Sequence, residues 1–557
     1  MKRLSWPHFL GIWLIVNLLQ SAFTELFHDE AHFWMFSQHL DWGFWDHPPA
    51  APLLIFLGYA LIPNELGVRL FMVLSSVLTI FLIYRLLRPA DDRLFFLLVF
   101  SIFLIHIGGF MAAPDIPLLL ATAAFFFAYR HYAGQDRWQT ALLLGLIVAA
   151  MAYSKYHGAV ILLFALLGNL SLLRRPSFYL IPFVALLLFL PHLHWQWVRD
   201  FPTFHYHLVD RGQDEYHWTF VLDYIGGQLL VLGPFVAIPL LIAAFRQKPA
   251  DAFERSLKWS MIGVFGFFLF RSFSERTEAN WTATAIVPLI YLSYRFLEDR
   301  QIWQRWIYRL AIPSFALFFL FRLYLIVDFL PTENKARNEF HGWDRWAADI
   351  SALAGERPVV FYNSYRSPSK YQFYSGKFAH ALNTWGQSGN QYDLMPEQAE
   401  RLQGKEVVIV SQELDDETPI FPGGIQHTFY KIVDDYRSYS YPRVWVEIDD
   451  PPAALPPDTT VLLHIRISNR TDHEIDFTAG SRPVDLYFHV YDRNEPVLFD
   501  CALEQLPFDR LRPRETVETI ALLATPTSPG AYRYRFTFHV RGLHNGRNGH
   551  FHELRVM

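Results

Sequence analysis

Up to Phe329 the chain is a succession of apolar runs joined by short polar links; after Thr332, polar and charged residues mix in at the density of a soluble domain. Hydrocarbon offers no water to backbone N–H and C=O groups, so apolar runs of ~20 residues fold as helices that cross a bilayer. This predicts a polytopic α-helical membrane protein with about eleven transmembrane helices and a separate soluble part. The spans read near 7–23, 66–87, 93–110, 115–131, 139–153, 157–173, 178–195, 221–245, 257–272, 281–297 and 306–328. The stretch 50–62 is apolar but brief and follows Pro48-Pro49, which suits a re-entrant or surface-lying segment. Lys2, Arg3 and the first apolar run look like a signal peptide, but no small-residue cleavage site follows, so the run reads as a retained anchor. A net charge of −5 offers no basic face for nucleic acid. The single cysteine, Cys501, excludes an internal disulfide.

Lys and Arg collect in alternate links. One set carries Lys2 and Arg3, then Arg85, Arg88 and Arg93, then Arg130 and Arg137, and then Arg174 and Arg175. It continues with Arg246, Lys248, Arg255 and Lys258, and ends with Arg295, Arg300, Arg305 and Arg309. The first long loop, 24–65, has no Lys or Arg. The basic set is therefore read as cytoplasmic. Eleven spans then place loop 24–65 and the C-terminal part outside, periplasmic for a chain in a cell inner membrane.

Loop 24–49 concentrates chemistry: Glu25, Asp29, Glu30, Asp41 and Asp46, four histidines, and Trp34, Trp42 and Trp45. Phe33, Phe36 and Leu40 recur at helical spacing, predicting a helix over 30–40 lying at the interface on its apolar face. Asp29 and Glu30 fall in its first turn, where either could simply complement the helix dipole. A whole loop of carboxylates, histidines and tryptophans asks for more than dipole complementation, and ionisable groups beside a membrane mark functional sites.

The pieces DEAHFWMFSQHLDWGFWDHPP (29–49), LGVRL (66–70), APDIP (113–117) and YSKY (153–156) carry a resemblance. The chain resembles the polyprenol-phosphate-sugar-dependent glycosyltransferases of the GT-C fold, including the protein O-mannosyltransferases of glycosyltransferase family 39 and the lipid A aminoarabinose transferases. TEANW (277–281) is similar to the Pro-Asn-Trp signature of those enzymes, with Ala279 in place of Pro. The resemblance implies transfer of a sugar from a polyprenyl-phosphate donor to a periplasmic acceptor. That acceptor would be lipid A or lipopolysaccharide, another envelope glycan, or a protein.

By the same resemblance, Asp29 and Glu30 are the catalytic residues, with Asp29 as the base. Asp46, His47, Arg69, Asp115, Lys155, Tyr156, Glu278 and Asn280 are substrate-binding. An unperturbed Asp has a pKa of ~3.9 and is ionised at neutral pH. A departing phosphate needs fixed donors; Lys155, Arg211, Arg271 and Arg276 are the cations on the outer side, with Arg69 near the second span's outer end. Relatives often carry a Lys before the double proline, where this chain has Asp46-His47, and a neutral imidazole clamps phosphate less well than Lys. Asp115 reads either as a helix cap or as a second functional carboxylate for substrate or a divalent metal. Lys155 reads either as snorkelling to the interface or as a phosphate ligand. A divalent metal is the one cofactor these motifs leave open.

Two other reaction classes fit parts of the pattern. His28 and His32 stand at i and i+4 as in a zinc hydrolase, but the zincin pattern needs Glu directly after the first His, and Asp29 is there. His192, His194, His205 and His207 form another outer cluster. A transporter would explain the spans, although carriers place ionisable residues in broken helices at mid-membrane.

We read residues 1–332 as the membrane domain, 333–440 as an α/β domain and 441–557 as an immunoglobulin-like β-sandwich. PVVFYN (358–363) and KEVVIVS (405–411) are buried-strand runs, with helical stretches at 366–375 and 395–403. Alternating runs at 443–448, 460–467, 484–492, 516–523 and 532–540 are separated by turn residues. YRSPSKYQFYSG (365–376) and GNQYD (389–393) resemble the outer domain of the same enzymes. The Lys/Arg pattern makes one direct prediction. A periplasm-only reporter fused after Met557 is active and a cytoplasm-only reporter is silent; the reverse pattern breaks the span parity.

Overall fold

The computed structural model describes residues 5–207, 216–330, 339–384, 389–412, 428–492, 495–503, 505–543 and 546–557. The chain divides into two compact units, Met1–His341 and Gly342–Met557.

The first unit is helical. It opens with α1 (Trp6–Phe23), α2 (His28–Ser37), α3 (Ala50–Leu61), α4 (Glu65–Leu87), α5 (Asp92–Phe100) and α6 (Phe103–Ile107). Next come α7 (Asp115–Gly134), α8 (Trp138–Ser154), α9 (Gly158–Leu167), α10 (Leu180–Val198) and α11 (Pro202–His205). It closes with α12 (Thr219–Val231), α13 (Ala237–Arg246), α14 (Ala252–Arg271), α15 (Ile286–Leu297) and α16 (Gln301–Ile326). Helices α4 and α16 and the stretch Pro176–Val198 are long and apolar enough to cross a bilayer; α1 and α2 pass the same test together but meet at 89°.

Several of the expected uniform spans are instead broken. The run 93–110 ends its first helix at Phe100, and the run 221–245 is cut between α12 and α13 at Gly233-Pro234. Both breaks have one cause. Gly233 has φ +108, and a Cβ there would lie 2.3 Å from the Ser101 carbonyl oxygen, so the two interrupted runs touch backbone to backbone. Only glycine permits that approach, and the following proline cannot continue a helix. The stretch 50–62 is the helix α3, which packs on α4.

Helix α2 corrects a second expectation. Every one of its residues except Asp29 is buried, so it is embedded rather than lying on one apolar face. Phe36 stacks on Phe44 at 4.4 Å and Trp34 meets Tyr59 edge-on at 5.6 Å. In α16, Arg322 is buried and donates to the Asn17 side chain and, at 3.1 Å, to the His106 carbonyl, joining α1 and α6.

The second unit opens with a helix, Trp343–Ala354, and has a second helix, Arg366–Ser375, beside a four-stranded sheet of order β2-β1-β3-β4, formed by β1 (Val359–Tyr362), β2 (Ala379–Leu382), β3 (Lys405–Ser411) and β4 (Phe429–Tyr436). The first three strands are parallel and β4 is antiparallel. Next come β5 (Val444–Ile448), β6 (Ala454–Leu455), β7 (Thr460–Asn469), β8 (Ile475–Asp476) and β9 (Val484–Asp492). After them follow β10 (Glu495–Leu503), β11 (Arg510–Leu511), β12 (Thr516–Ala524), β13 (Gly530–Val540) and β14 (His552–Val556). The sheets β10-β9-β13-β14-β6 and β12-β7-β5 share one core containing Ile465, Ile467, Phe488 and Phe536. Inside the GNQYD stretch, Asp393 accepts from Asn383 (2.9 Å), the Asn390 amide (3.0 Å) and Arg547 (3.3 Å). Burial pushes its carboxyl up, and Arg547 opposes that shift.

The α3–α4 hairpin is the tightest contact near the first loop. A Cβ on Gly67 would lie 1.7 Å from the Ile62 carbonyl oxygen and 2.8 Å from that of Gly58. Gly67→Ala therefore forces backbone to move, and overpacking of this kind costs about 1–3 kcal/mol or more. Gly266→Ala, with nothing within 4 Å, is the control. The expected result is a lower thermal midpoint in detergent for Gly67→Ala alone; equal midpoints would refute the tight packing.

Candidate active site

The chain must turn sharply between α1 and α2, which leaves carbonyls at the end of α1 without helical partners. Arg69, in the first turns of α4, satisfies them. Its Nη1 donates to the carbonyls of Ser21 (3.1 Å) and Thr24 (2.6 Å), and its Nη2 to that of Glu25 (2.9 Å). The rest of the fork closes on Glu30, Nε to Oε1 at 2.7 Å and Nη2 to Oε2 at 2.5 Å. Both side chains are 1% exposed. Glu30 also accepts from the Phe27 amide at 2.9 Å and the Ala112 amide at 2.7 Å. All five guanidinium N–H bonds thus point at protein acceptors. Arg69, expected to help with phosphate, is occupied in holding the loop.

Ala112 stands three residues before Asp115, so Glu30 ties the first loop to the start of α7. Asp115 and Lys155 are each 7% exposed. Lys155 Nζ donates to the two carboxylate oxygens of Asp115 at 2.9 and 3.0 Å, and Asn280 Nδ2 donates to Oδ2 at 2.9 Å. The APDIP, YSKY and TEANW motifs, 165 residues apart at the extremes, meet at this carboxylate. Gln228 of α12 holds the third motif by donating to the Ala279 carbonyl at 3.1 Å.

Tyr156 lies in a second polar string. His192 Nδ1 contacts the Trp42 carbonyl at 2.7 Å, and a carbonyl can only accept, so Nδ1 carries the proton and Nε2 receives the Tyr156 hydroxyl at 2.9 Å. Burial pushes the Tyr156 phenol up, opposed by its side-chain contacts with Thr203 and Gln196, so it stays a donor. Gln196 donates to Thr203 (2.6 Å), which donates to the Phe44 carbonyl (3.1 Å). This string fixes the loop segment that continues into Asp46 and His47, which sit 3.5 Å apart. His207 meets the Asp46 carbonyl at 3.1 Å, and the His47 ring contacts Phe33 at 5.2 Å.

Glu278 is not drawn into the Asp115 cluster; it faces Arg276 at 3.6 Å, both well exposed. Arg271 pairs with Glu275 at 2.6 Å. Arg211 lies outside the described residues. His28 Nε2 is 3.3 Å from Glu339, and His32 contacts Phe36 at 4.4 Å. Glu339, assigned from the sequence to the soluble part, carried no signal of this contact. No group of three His, Cys, Asp or Glu side chains suited to a metal occurs among the described residues. Neither the zinc hydrolase nor a metal at Asp115 thus gains a ligand set here.

The helical unit has the GT-C fold. Crystal structures of ArnT from Cupriavidus metallidurans, bound to undecaprenyl phosphate and in the apo state, match with TM-scores of 0.57 at 14% and 12% identity, covering 76% of this chain and 97% of theirs. Residues 46–195 match the family described as dolichyl-phosphate-mannose-protein mannosyltransferase. In sequence the chain is similar to lipid A galacturonosyltransferase RgtD of Rhizobium johnstonii, 25% identical over 313 residues, 51% of this chain. The chain spans 64% of the length of that curated relative.

The Glu30–Arg69 geometry predicts that charge alone does not suffice at position 69. Removing one partner of a buried pair costs about 3–5 kcal/mol, and Arg69→Lys strands two or more acceptors as well. Its loss of thermal stability should approach that of Arg69→Met, whereas Arg276→Ala, at an exposed pair, stays within about 1 kcal/mol. An Arg69→Lys protein as stable as wild type would show that the fork is not needed.

Proposed function

We propose that the chain is an inner-membrane glycosyltransferase that moves a sugar from a polyprenyl-phosphate donor to an acceptor on the outer face, with Asp29 as the base. One observation carries this reading. On a helix whose other residues are all buried, Asp29 alone reaches accessible space. The adjacent Glu30 is buried with both oxygens engaged, so Asp29 is the more accessible of the two acids.

In the proposed reaction an acceptor hydroxyl oxygen attacks the anomeric carbon of the donor sugar. The carbon–oxygen bond to phosphate breaks, and its electron pair leaves with the polyprenyl phosphate. The hydroxyl proton passes to Asp29. Lys155 stands ready for the leaving phosphate, because Asp115 holds its ammonium in place while leaving it able to donate further. Fixed donors of this kind stabilise developing charge without reorganising. Asp115 and Asn280 act as positioning residues, Tyr156, Asp46 and His47 shape the wall of the first loop, and Glu278 stands at the exposed rim. The ArnT complex with undecaprenyl phosphate supports a polyprenyl-phosphate donor, and RgtD supports lipid A as the acceptor class. Eleven spans, an external second unit and an immunoglobulin-like topology for its β5–β14 portion belong to the same reading.

Asp29→Asn keeps the shape and removes the base, so turnover should fall roughly 10²–10⁴-fold with thermal stability unchanged. Lys155→Ala should raise KM for donor or lower kcat, with Lys155→Arg partly restoring it. The assay is transfer from undecaprenyl-phosphate pentoses and hexuronic acids to lipid A in nanodiscs. A stable Asp29→Asn enzyme with near wild-type turnover would sink the assignment.

A further inference from the structure

The ends of α4 and α7, on the face opposite the Asp29 loop, enclose a cleft of about 320 Å³. Arg85, Arg88, Arg130, His131 and Gln135 line it with Phe127, and no described carboxylate does. The acids nearest in sequence are engaged elsewhere: Asp136, next to Gln135, accepts from the Ser177 hydroxyl. Asp91 accepts from the amides of Arg93 (2.8 Å) and Leu94 (3.3 Å), and Asp92 from the Trp6 amide (3.0 Å) and the Tyr84 hydroxyl (2.8 Å). Arg130 donates to the Leu86 carbonyl at 2.6 Å, which fixes one wall. Dipole complementation explains a basic residue at each helix end. It does not explain four basic groups converging on one cleft.

The apolar surface beside the cleft identifies the occupant. On α4, Leu74, Leu78, Phe81 and Arg85 follow one another at helical spacing on a single face, and Leu74 and Leu78 are 42% and 45% exposed. On α7, the partly exposed Leu120, Ala124 and Phe127 lead in the same way to His131. Both stripes run from the cleft toward the middle of the helices, and α4 packs against α7. A soluble anion would use the arginines and leave the stripes unused, whereas a phospholipid uses both.

We propose that this cleft binds the phosphate headgroup of an anionic glycerophospholipid of the cytoplasmic leaflet, with its acyl chains along the α4 and α7 stripes. Basic pockets between spanning helices on the cytoplasmic side suit such headgroups. The proposal rests on the orientation read from the Lys/Arg pattern, which the reporter fusion tests separately, and it is independent of glycosyl transfer.

The test is native mass spectrometry of the full chain released from nanodiscs of equal phosphatidylcholine and phosphatidylglycerol. The wild type should retain phosphatidylglycerol in preference to phosphatidylcholine. Each arginine near an anionic headgroup is worth about a fivefold preference, so Arg85→Gln/Arg88→Gln should lower it about thirtyfold. If the double variant does not fold, Arg85→Gln alone should lower it about fivefold. Retention equal to wild type in a folded variant overturns the proposal. So does displacement of the lipid by millimolar inorganic phosphate, which would mark a site for free anions.

Discussion

The Glu30–Arg69 pair is the constraint on which the first loop and the site beside it depend. Taking two charges out of water is costly, and their attraction offsets that cost only when geometry is good and the remaining hydrogen-bonding capacity is filled. Here it is filled: Glu30 receives two backbone amides in addition to the fork, and Arg69 gives its remaining donors to three carbonyls. The end of α1, the link to α2, the start of α4 and the segment before α7 are therefore joined by one pair of side chains. The 89° bend between α1 and α2 exposes the carbonyls that Arg69 covers.

Adjacent carboxylates thereby acquire different environments. Glu30 is enclosed and fully bonded, while Asp29, one residue away and on another side of the same helical turn, is half-buried. A similar division holds around Asp115, whose carboxylate is covered by Lys155 and Asn280 and so serves as the fixed anion that orients an ammonium. The two arrangements are linked through Ala112, so a shift in α2 would be felt at the head of α7. That linkage gives a physical reason for a first loop rich in charge to sit on a rigid frame rather than on a mobile one.

Much of this was legible in the sequence, and the exceptions are instructive. The strands β3 and β9 fall on the runs 405–411 and 484–492, because a strand with a buried face announces itself by its own alternation or apolarity. The short strand β2, Ala379–Leu382, has too few residues to show a period. Hydropathy, averaged over a window, shows unbroken spans at Ser101 and Gly233, whereas the breaks lie where two backbones meet. In the sequence Arg69 reads as a phosphate ligand, because a cation near a membrane surface looks the same whether its partners are substrate or protein.

The sequence by itself determined the partition into an apolar helical part and a mixed polar part, the alternate links in which Lys and Arg collect, and the motifs that contain Asp29, Asp115, Lys155 and Asn280. Those features follow from solvation and local periodicity, which act residue by residue. Only the tertiary structure decided which of two neighbouring acids is accessible, that Arg69 serves the loop, that Glu278 stays apart while Asn280 joins Asp115, and that Glu339 reaches His28. Each of these depends on groups far apart in the chain coming within about 3 Å, and no local pattern encodes that approach.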